Sequence, residues 1–570
     1  MLSLLSRQAK GCLSQAERLL AGRATAVPDG LQLSRRSAPL RWHSSSSSSA
    51  GSERSRLTLG EGLAAALASA AAVAVAGGSV LLAKEDNRKT TWQVYVWGRS
   101  EAIPGGSERD ILIPKRMEWF DKHEAGWSKI AFGPNFGVAL DRRGQLFIWG
   151  EIGYGDEDIV GPVAIELTGE AKGRSFIDVQ CASDKFFATT SKGHALIFQD
   201  ILDVMSQNKG ATTLKLEGKL VPGIPQPGIM SPVIGGGGIK TMGIGMEHGC
   251  FVTFSGDVYC VGGNEWGQCG KQPPKQKGIM GALEERARFQ VETPHKVQMP
   301  PEAGRIVEVA VGGRHTVVRD VDGNAWSFGD DRRIQLGLGD TRSKGHDERN
   351  SYGVITQENL GGKQTQHKRT KGATYKYYDP HMQHSPTKLI EPEAYNRPPY
   401  PPPSFFACGE DFTIACHRDS PDWYSEEQTT NILMCCGENA EGQCGRNLQE
   451  QQQPWNQVRL PKRSRTASVS CGQQHCLALL TNGELYSWGA SLQGQLGSGK
   501  RATRHRPMRV GLEPIQDVSQ LEPVNISPKG QPPEWRYPKA EHKPFPGKIV
   551  SISAGFRNSA VICEVPPDAQ

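Results

Sequence analysis

The sequence lacks the short motifs that mark most enzymes and nucleotide-binding proteins. It contains no nucleophile elbow and no paired-carboxylate motif. The four consecutive glycines at 235–238 do not form a phosphate-binding loop, because neither Lys-Ser/Thr nor a helix start follows them. We therefore expect no catalytic residues, no bound cofactor and no enzymatic activity.

The 13 cysteines lack the spacing of a zinc site or of a disulfide framework. Cys269 and Cys444 occupy a position that Leu336 occupies in another copy of a repeat described below, as small buried hydrophobes do. The adjacent Cys435 and Cys436 would point to opposite faces of a strand. We predict reduced thiols in a reducing compartment and no metal site.

Strong charge of either sign is also absent. The formal net charge is +6 over 570 residues, and part of it lies in the first 60 residues. A balance this small does not indicate a nucleic-acid-binding surface. Charged residues make up 22% of the chain, which argues against a disordered body, and the 66 glycines and 37 prolines indicate many tight turns.

The first 56 residues are rich in Arg and Ser and poor in acidic residues. Their acidic side chains are Glu17, Asp29 and Glu53, which the Arg and Lys residues outnumber. The stretch from Leu2 to Leu20 can form a basic amphipathic helix, the signature of mitochondrial import. We predict a mitochondrial transit peptide over residues 1–56; a disordered basic tail is the alternative.

Residues 62–83 form a run without charge that has about the length a helix needs to cross a bilayer. The run is rich in alanine, so its hydrophobic drive is modest. We predict a single transmembrane helix over 62–83, with a low-complexity linker as the alternative. The flanking charges barely orient the span, because Glu85 and Asp86 dilute the basic residues that follow it.

From residue 92 onward an internal repeat dominates the sequence, and it is built from linked phrases. One phrase is a short apolar strand ending in glycine, at Gly98, Gly150, Gly262, Gly329, Gly437 and Gly489, with a weaker copy at 195–198. A second phrase is an apolar strand followed by Gly-x-x-His, as in Gly245 with His248, Gly312 with His315 and Gly472 with His475. Degenerate copies of the second phrase begin at Ile130, Ile177, Phe405 and Ile549.

Hairpin turns and a third phrase complete the repeat. The turns between the first two phrases include Asp322-Gly323 and Asn482-Gly483, which supply the positive φ angles of two-residue hairpins. The third phrase, Gly-Gln-Leu-Gly or a variant, follows several strand-end glycines. The sequence predicts an all-β fold, a seven-bladed β-propeller over residues 92–565. The unpaired phrases at its two ends would close the ring by sharing one blade.

Long segments interrupt the repeat. The longest is a polar, Pro-rich insertion at 341–403; others lie at 200–235, 271–304 and 499–547. Loops of this length are usually functional or unstructured, and a rigid scaffold can use them to present a binding surface. Candidate binding segments are the Pro-rich run near Tyr400 and the loop from Gln268 to Arg288.

The histidines of the second phrase invite comparison with a metal site. His248, His315 and His475 recur at equivalent positions of different blades. Equivalent positions of a propeller form a ring too wide to converge on one ion. We predict that these histidines have a structural hydrogen-bonding role and that the glycines listed above are structural repeat positions.

The three phrases in this order resemble the regulator-of-chromosome-condensation repeat over about residues 92–565. A WD40 propeller is disfavoured, because the strands end in Trp-Gly or its variants rather than in Trp-Asp. Plant ultraviolet photoreceptors of this family carry Gly-Trp-Arg-His-Thr. The matching run at 312–316 lacks the tryptophan, so a photoreceptor role is not expected.

The chain is similar to the fungal mitochondrial members of this family, which have a leader, one anchor and the propeller. That resemblance implies an assembly or stability factor for respiratory complex III (cytochrome bc1). Its partners would be complex III subunits or assembly intermediates. We expect a single-pass protein of the mitochondrial inner membrane, and unpaired thiols favour the matrix side for the propeller.

The alternative function is guanine-nucleotide exchange on a small mitochondrial GTPase, in ribosome biogenesis for instance. The family's founding member exchanges nucleotide on a small nuclear GTPase. Such a role requires an acidic residue pressed into the GTPase. Candidate acidic residues are Asp330, Asp331, Asp340 and Glu410.

Overall fold

The structure is a computed structural model of the whole chain. It describes residues 90–151, 159–208, 210–227, 237–271, 290–339, 354–355, 376–377, 381–389, 402–421, 429–446, 455–461, 465–513, 524–525, 535–536 and 543–567. All of them belong to one compact unit, Glu85–Gln570. The predicted transit peptide, the predicted span at 62–83 and most of the insertion at 341–403 lie outside the described residues. No helix within the described ranges is long and apolar enough to cross a membrane.

The regular secondary structure of the described chain is almost entirely β-strand. Its helices are short: a 3-10 turn at Ser100–Ala102, α1 at Glu118–Asp121 and α2 at Ile201–Gln207. The strands are β1 Thr91–Gly98, β2 Ile111–Arg116, β3 Trp127–Phe132, β4 Phe136–Asp141, β5 Leu146–Glu151, β6 Ile159–Gly169, β7 Phe176–Cys181, β8 Phe186–Thr190, β9 Ala195–Phe198, β10 Thr213–Leu220, β11 Ile239–Ile244, β12 His248–Thr253, β13 Val258–Gly263, β14 Gln290–Lys296, β15 Ile306–Val311, β16 His315–Asp320, β17 Ala325–Asp330, β18 Val354–Ile355, β19 Lys376–Tyr377, β20 Met382–Lys388, β21 Phe405–Cys408, β22 Phe412–Pro421, β23 Thr429–Gly437, β24 Asn456–Gln457, β25 Thr466–Cys471, β26 His475–Leu480, β27 Leu485–Gly489, β28 Arg504–Val510, β29 Val524–Asn525, β30 Trp535–Arg536, β31 Lys548–Ala554 and β32 Asn558–Val565.

The larger sheets are four-stranded antiparallel units, which we call blades. In four of these units neighbouring strands follow one another in chain order: β11–β14, β15–β16–β17–β20, β21–β24 and β25–β28. An eight-stranded sheet contains two such units, β3–β6 and β7–β10, joined by parallel pairing of β6 with β10. The expectation of an all-β fold is confirmed.

One further blade combines the two ends of the propeller. Its order is β2–β1–β32–β31, and β1 pairs with β32 from Thr91 opposite Val565 to Gly98 opposite Asn558. The innermost strands contact each other in the cyclic order β31, β3, β7, β11, β15, β21, β25 and back to β31. The ring is therefore closed through a sheet shared by the first and last strands, as the unpaired phrases predict.

The antiparallel strands give every blade two distinct ends. The Gly-x-x-His turns and the strand-end glycines lie at one end, which we call the upper face. The hairpin turns such as Asn482-Gly483 lie at the other end, the lower face. Strand β1 starts and β32 ends at the lower face, close to α1.

Apolar side chains fill the space between neighbouring blades. Trp97, Trp149 and Trp488, which precede strand-end glycines, are completely buried. Trp97, for example, packs with Leu477 and other residues of the adjacent blade. Burial on both faces explains why these strands read as continuous apolar runs instead of alternating ones.

The prediction of reduced thiols is wrong for Cys250 and Cys260. These residues lie directly opposite each other on β12 and β13, with Cα atoms 4.1 Å apart, and form a disulfide. Spacing alone did not indicate the bond, because the register of the hairpin brings the two residues together. The other described cysteines are free and most are buried, and burial raises the pKa of thiols such as Cys435 and Cys436.

Candidate functional site

At the strand-end positions the backbone adopts a conformation that only glycine tolerates. Their φ angles lie between +105° and +152°, a region L side chains rarely adopt. A Cβ would also lie 2.3 to 2.5 Å from the carbonyl oxygen of the residue before the neighbouring His position. The glycines are Gly98, Gly150, Gly262, Gly329, Gly437 and Gly489. Their role is close backbone approach at the upper face.

The glycines of the Gly-x-x-His turns bring adjacent blades together. A Cβ on Gly245 would lie 2.2 Å from the carbonyl oxygen of Gly312, and one on Gly472 would lie 2.2 Å from that of Gly555. Backbone hydrogen bonds then link successive turns. The amides of Gly313, Glu410 and Gln473 donate to the carbonyls of Glu410, Gln473 and Gly555, at 2.8, 3.0 and 3.3 Å. The turns of these four successive blades form a continuous rim on the upper face.

Each histidine of the repeat hydrogen-bonds to a hydroxyl of the next blade. Nε2 lies 2.8 to 2.9 Å from the hydroxyl oxygen in the pairs His248 with Thr316, His315 with Thr413 and His475 with Ser559. Each hydroxyl in turn donates to the backbone carbonyl of a glutamine in the third phrase, at 2.8 to 2.9 Å: Gln268, Gln335 and Gln495. Three blades are thus joined to their neighbours by a two-step polar chain.

This arrangement fixes the protonation of the histidines. Because the hydroxyl donates its proton to a carbonyl, it must accept from Nε2–H, which leaves Nδ1 without a proton. Burial lowers the pKa of His248 and His475 to about 3 and that of His315 to about 4, so the rings are neutral at physiological pH. In the described parts of the chain, no group of three His, Cys, Asp or Glu side chains is arranged to hold a metal ion.

Sequence reasoning missed the hydroxyl partners, although a signal was present. Thr316, Thr413 and Ser559 each follow a His-position residue directly in sequence. A hydroxyl at that place faces the preceding blade, where the histidine lies. The hydroxyl residue after the His position can be recognised as a hydrogen-bond partner only when the blades are known to pack side by side.

The upper face also carries an aromatic residue with two cations close to its ring. The guanidinium carbon of Arg332 lies 3.6 Å from the centre of the Trp266 ring, and that of Arg314 lies 5.6 Å from it. Arg332 is held by a forked ion pair with Asp330, whose side chain is 1% exposed; the shortest contact, Nη2 to Oδ2, is 2.7 Å. We call Trp266, Arg314, Asp330, Arg332 and Asp411 the Trp266 cluster.

Carboxylates border this cluster on the next blade. Burial, followed by the charge of Asp330, raises the pKa of Asp411, although Arg314 and Arg332 oppose the shift. Burial and the charge of Asp411 likewise raise the pKa of Glu410. Charges of both signs therefore share a partly dehydrated surface, where electrostatic interactions with a partner are stronger than in open solvent.

Of the four acidic residues that the sequence suggests as GTPase contacts, three lie in the described part of the chain. Asp330 is buried within the Trp266 cluster, and Asp331 is buried with its carboxylate accepting the amide of Leu336 at 3.0 Å. Glu410 is half-buried on the rim, and Asp340 lies outside the described residues. Of the three described residues, Glu410 is the one that a partner can approach.

The structure describes only a small part of the two candidate binding segments. Tyr400 and residues 272–289 lie outside the described residues. Gln268, at the start of the second candidate loop, is fully buried, and its side-chain oxygen accepts the amide of Trp266 at 2.9 Å. Gln268 therefore holds Trp266 in position and is not itself a contact residue.

The comparisons with known proteins identify the repeat. The regulator of chromosome condensation (RCC1) repeat matches residues 255–319, 433–479 and 482–520, and a second profile of the same repeat matches 467–495. The sequence is similar to the ultraviolet-B receptor UVR8 of Arabidopsis thaliana, with 26% identity over 416 residues, 70% of this chain and 85% of that protein.

Solved structures show the same architecture. The crystal structure of human WBSCR16 matches with a TM-score of 0.53 and 15% identity, covering 83% of this chain and 99% of that one. Prp20p of Saccharomyces cerevisiae matches with a TM-score of 0.52 and 14% identity, covering 86% and 97%. The chain carries RCC1 repeats and has the fold of an RCC1-like β-propeller.

Proposed function

We propose that this chain is a membrane-anchored mitochondrial protein whose seven-bladed propeller binds protein partners through its upper face. The count of seven takes the two halves of the eight-stranded sheet as separate blades. The Trp266 cluster is the observation that carries the proposal. Trp and Arg held in fixed geometry are the residue types that dominate binding energy at protein interfaces.

The cluster is rigid before any partner arrives. The Gln268 side chain fixes the backbone at Trp266, Asp330 fixes Arg332, and Arg314 precedes the buried His315. Because these side chains are already ordered, binding loses less conformational entropy. A rigid cluster that carries charges of both signs is suited to recognising the surface of a folded protein.

We further propose that the partner is a subunit or assembly intermediate of respiratory complex III, and that the protein acts in assembly or stability of that complex. The support is the leader-like composition of residues 1–56, the uncharged run at 62–83 and the resemblance to fungal mitochondrial family members. The free thiols such as Cys269 and Cys444 favour the matrix for the propeller, and we keep that side in the proposal, although the Cys250–Cys260 disulfide is a bond typical of an oxidising compartment.

The test is native-gel profiling of respiratory complexes in mitochondria that lack the protein. We expect selective loss of mature complex III with mitochondrial translation intact, restored by the wild-type chain but not by Trp266→Ala. Gln493→Ala is the matched control, because Gln493 holds the same third-phrase position in the blade of β25–β28. Normal complex III without the protein would contradict the proposal.

A second candidate function is nucleotide exchange on a mitochondrial GTPase. The specific observation in its favour is the structural similarity to Prp20p, whose crystal structure was described together with its binding to Gsp1p and histones. The half-buried Glu410 on the rim would be the acidic residue that contacts the GTPase. Catalytic amounts of the chain should then accelerate nucleotide release, and Glu410→Gln should reduce the acceleration. No acceleration with any candidate GTPase would remove this function.

A further inference from the structure

The lower face carries an exposed tryptophan on a rigid support. Trp119 lies in α1 and is 37% exposed, whereas the adjacent Phe120 is fully buried. The Trp119 ring packs against Phe120, Trp127 and Phe147, with ring centres 5.1, 5.9 and 5.7 Å apart. An indole held this way presents one edge to the outside without freedom to turn inward.

The neighbouring hairpin turn is fastened to the same aromatic group. The guanidinium carbon of Arg142 lies 5.0 Å from the centre of the Trp92 ring, and the amide of Arg142 donates to the carbonyl of Gly126. Asp141 accepts the amides of Arg143 and Gln145 through Oδ1. Arg142 and Arg143 therefore project from a fixed turn beside Trp92.

Basic side chains predominate among the exposed charged residues of 115–143, the stretch that contains Trp119 and the hairpin turn at Arg142. The exposed basic residues within 115–143 are Lys115, Arg116, Lys122, Arg142 and Arg143. The exposed acidic residues of the same stretch are Glu118 and Glu124. Asp121 is half-buried and paired with Arg116 at 2.9 Å. We call Trp119 and these basic residues the lower patch; five basic side chains against three acidic ones leave the surface a net charge of +2.

We infer that the lower patch docks onto the headgroup layer of a bilayer that contains anionic lipids. Tryptophan prefers the membrane–water interface, where its ring is partly buried and its N–H stays hydrated. Each nearby Lys or Arg adds attraction to an anionic surface. One exposed tryptophan with several basic neighbours combines the two kinds of contact that peripheral membrane binding requires.

The N-terminal connection supports a bilayer as the occupant. Strand β1 starts at Thr91, and its second residue, Trp92, contacts Arg142 of the patch. The predicted span ends at Ala83, so the connecting residues are 84–90. A fully extended segment of that length reaches about 25 Å. This step rests on the anchor in the proposed function, whereas the chemistry of the patch does not.

Docking through the lower face would leave the Trp266 cluster exposed on the opposite face. A partner could then reach the upper face without displacing the propeller from the membrane. The inference therefore adds an orientation to the proposed function.

The experiment uses the full chain in proteoliposomes with acyl chains brominated close to the headgroup, which quench nearby indoles. The predicted span contains no tryptophan, so its insertion alone produces no quenching signal. We expect strong quenching with anionic vesicles, and loss of most of it in Trp119→Phe. Trp266→Phe should leave the quenching unchanged, because Trp266 lies on the upper face.

Charge reversal tests the electrostatic part. Arg142→Glu/Arg143→Glu should remove the extra quenching that anionic lipid produces over neutral lipid. The matched control is Lys500→Glu/Arg501→Glu, since Lys500 and Arg501 are an exposed basic pair that lies before β28 on the upper face. Equal quenching of wild type and Trp119→Phe would overturn the inference, as would an equal effect of Lys500→Glu/Arg501→Glu.

The anchor is tested separately by resistance to alkaline carbonate extraction. A chain that is extractable by carbonate but still quenched through Trp119 would contradict the anchor and support the patch. An unextractable chain without Trp119 quenching would do the reverse. A soluble partner that binds the patch and abolishes the quenching in neutral and anionic vesicles alike would identify a protein as the occupant and overturn the inference.

Discussion

Ser559 accepts the imidazole N–H of His475 across 84 residues of sequence, with 2.9 Å between Nε2 and Oγ. The same hydroxyl donates to the carbonyl of Gln495 at 2.8 Å. His475 belongs to β26 and Ser559 to β32, in adjacent blades at the closing sheet of the ring. The pair therefore links the last complete repeat to the blade that both chain ends share.

Replacing Ser559 by alanine should destabilise the propeller. The imidazole N–H of His475 would lose its acceptor while remaining fully buried. An unsatisfied buried donor costs about 1–3 kcal/mol. Urea unfolding of the purified chain measures the loss directly.

A matched control for this change is Ser128→Ala, because Ser128 is exposed on β3. Its free energy of unfolding should change by less than about 0.5 kcal/mol. The double variant Ser559→Ala/His475→Ala should cost less than the sum of the single changes, since both remove one interaction. Full additivity would argue against the hydrogen bond.

Acid should destabilise the protein through its neutral histidines. The pKa values of His248, His315 and His475 are about 3, 4 and 3 in the folded chain, against about 6.5 when unfolded. Below pH 6.5 the unfolded chain binds protons that the folded chain does not, so stability falls as pH falls. Each histidine contributes about 1.4 kcal/mol per pH unit in that window.

Unfolding midpoints measured between pH 7 and pH 5 check this dependence. His475→Gln keeps an N–H donor for Ser559 but does not titrate, so its stability should depend less steeply on pH than that of the wild type. A wild-type stability that stays constant from pH 7 to pH 5 would show that the histidines are not buried in neutral form.

Substitutions at Gly483 and Gly489 distinguish the cost of backbone strain from the cost of a steric clash. Gly483 has φ +87° and open space where a Cβ would stand, so Gly483→Ala should cost about 1–2 kcal/mol. Gly489 has φ +105°, and its Cβ would lie 2.4 Å from the carbonyl oxygen of Gln474. Gly489→Ala should therefore cost at least about 2 kcal/mol more than Gly483→Ala. Equal losses of unfolding free energy would contradict the close approach.

Alkylation of cysteines tests both the disulfide and the buried thiols. Buried thiols with raised pKa, such as Cys435 and Cys436, should react slowly in the native chain. After unfolding without reductant, Cys250 and Cys260 should remain unmodified. Reduction should then raise the count of alkylated cysteines by two in a mass spectrum; an unchanged count would mean that the pair is not bonded.

The repeat phrases predict much of the fold because their requirements are local. Gly98 and Gly489 are readable from sequence because a glycine at a fixed place after an apolar strand marks a positive φ angle and a close contact. The closing sheet is predictable for a similar reason, since an unmatched phrase at each end needs a partner.

Features that depend on packing between distant segments cannot be predicted from the repeat phrases. The parallel pairing of β6 with β10 joins two blades through strands that carry none of the repeat phrases. The disulfide depends on hairpin register, and the Trp266 cluster draws Arg314 and Asp411 from two other blades. Their proximity follows from the ring, so it becomes visible only when the blades are assembled.

Separating stability from partner binding within the Trp266 cluster provides a sharp test of the upper face. Arg332→Ala would leave the carboxylate of Asp330 buried without its ion-pair partner, so it should lower the free energy of unfolding by about 3 kcal/mol. Asp330→Asn/Arg332→Ala removes the buried charge as well and should recover part of that stability. Trp266→Ala removes a half-buried ring and should cost less stability than Arg332→Ala. All three variants should lose binding to the same protein partner, because each disrupts the arrangement of the indole and the guanidinium. Co-purification of the partner with each variant, compared at equal amounts of folded protein, measures this loss. If binding followed folded-state stability across the three variants, the cluster would be structural and the contact surface would lie elsewhere on the propeller.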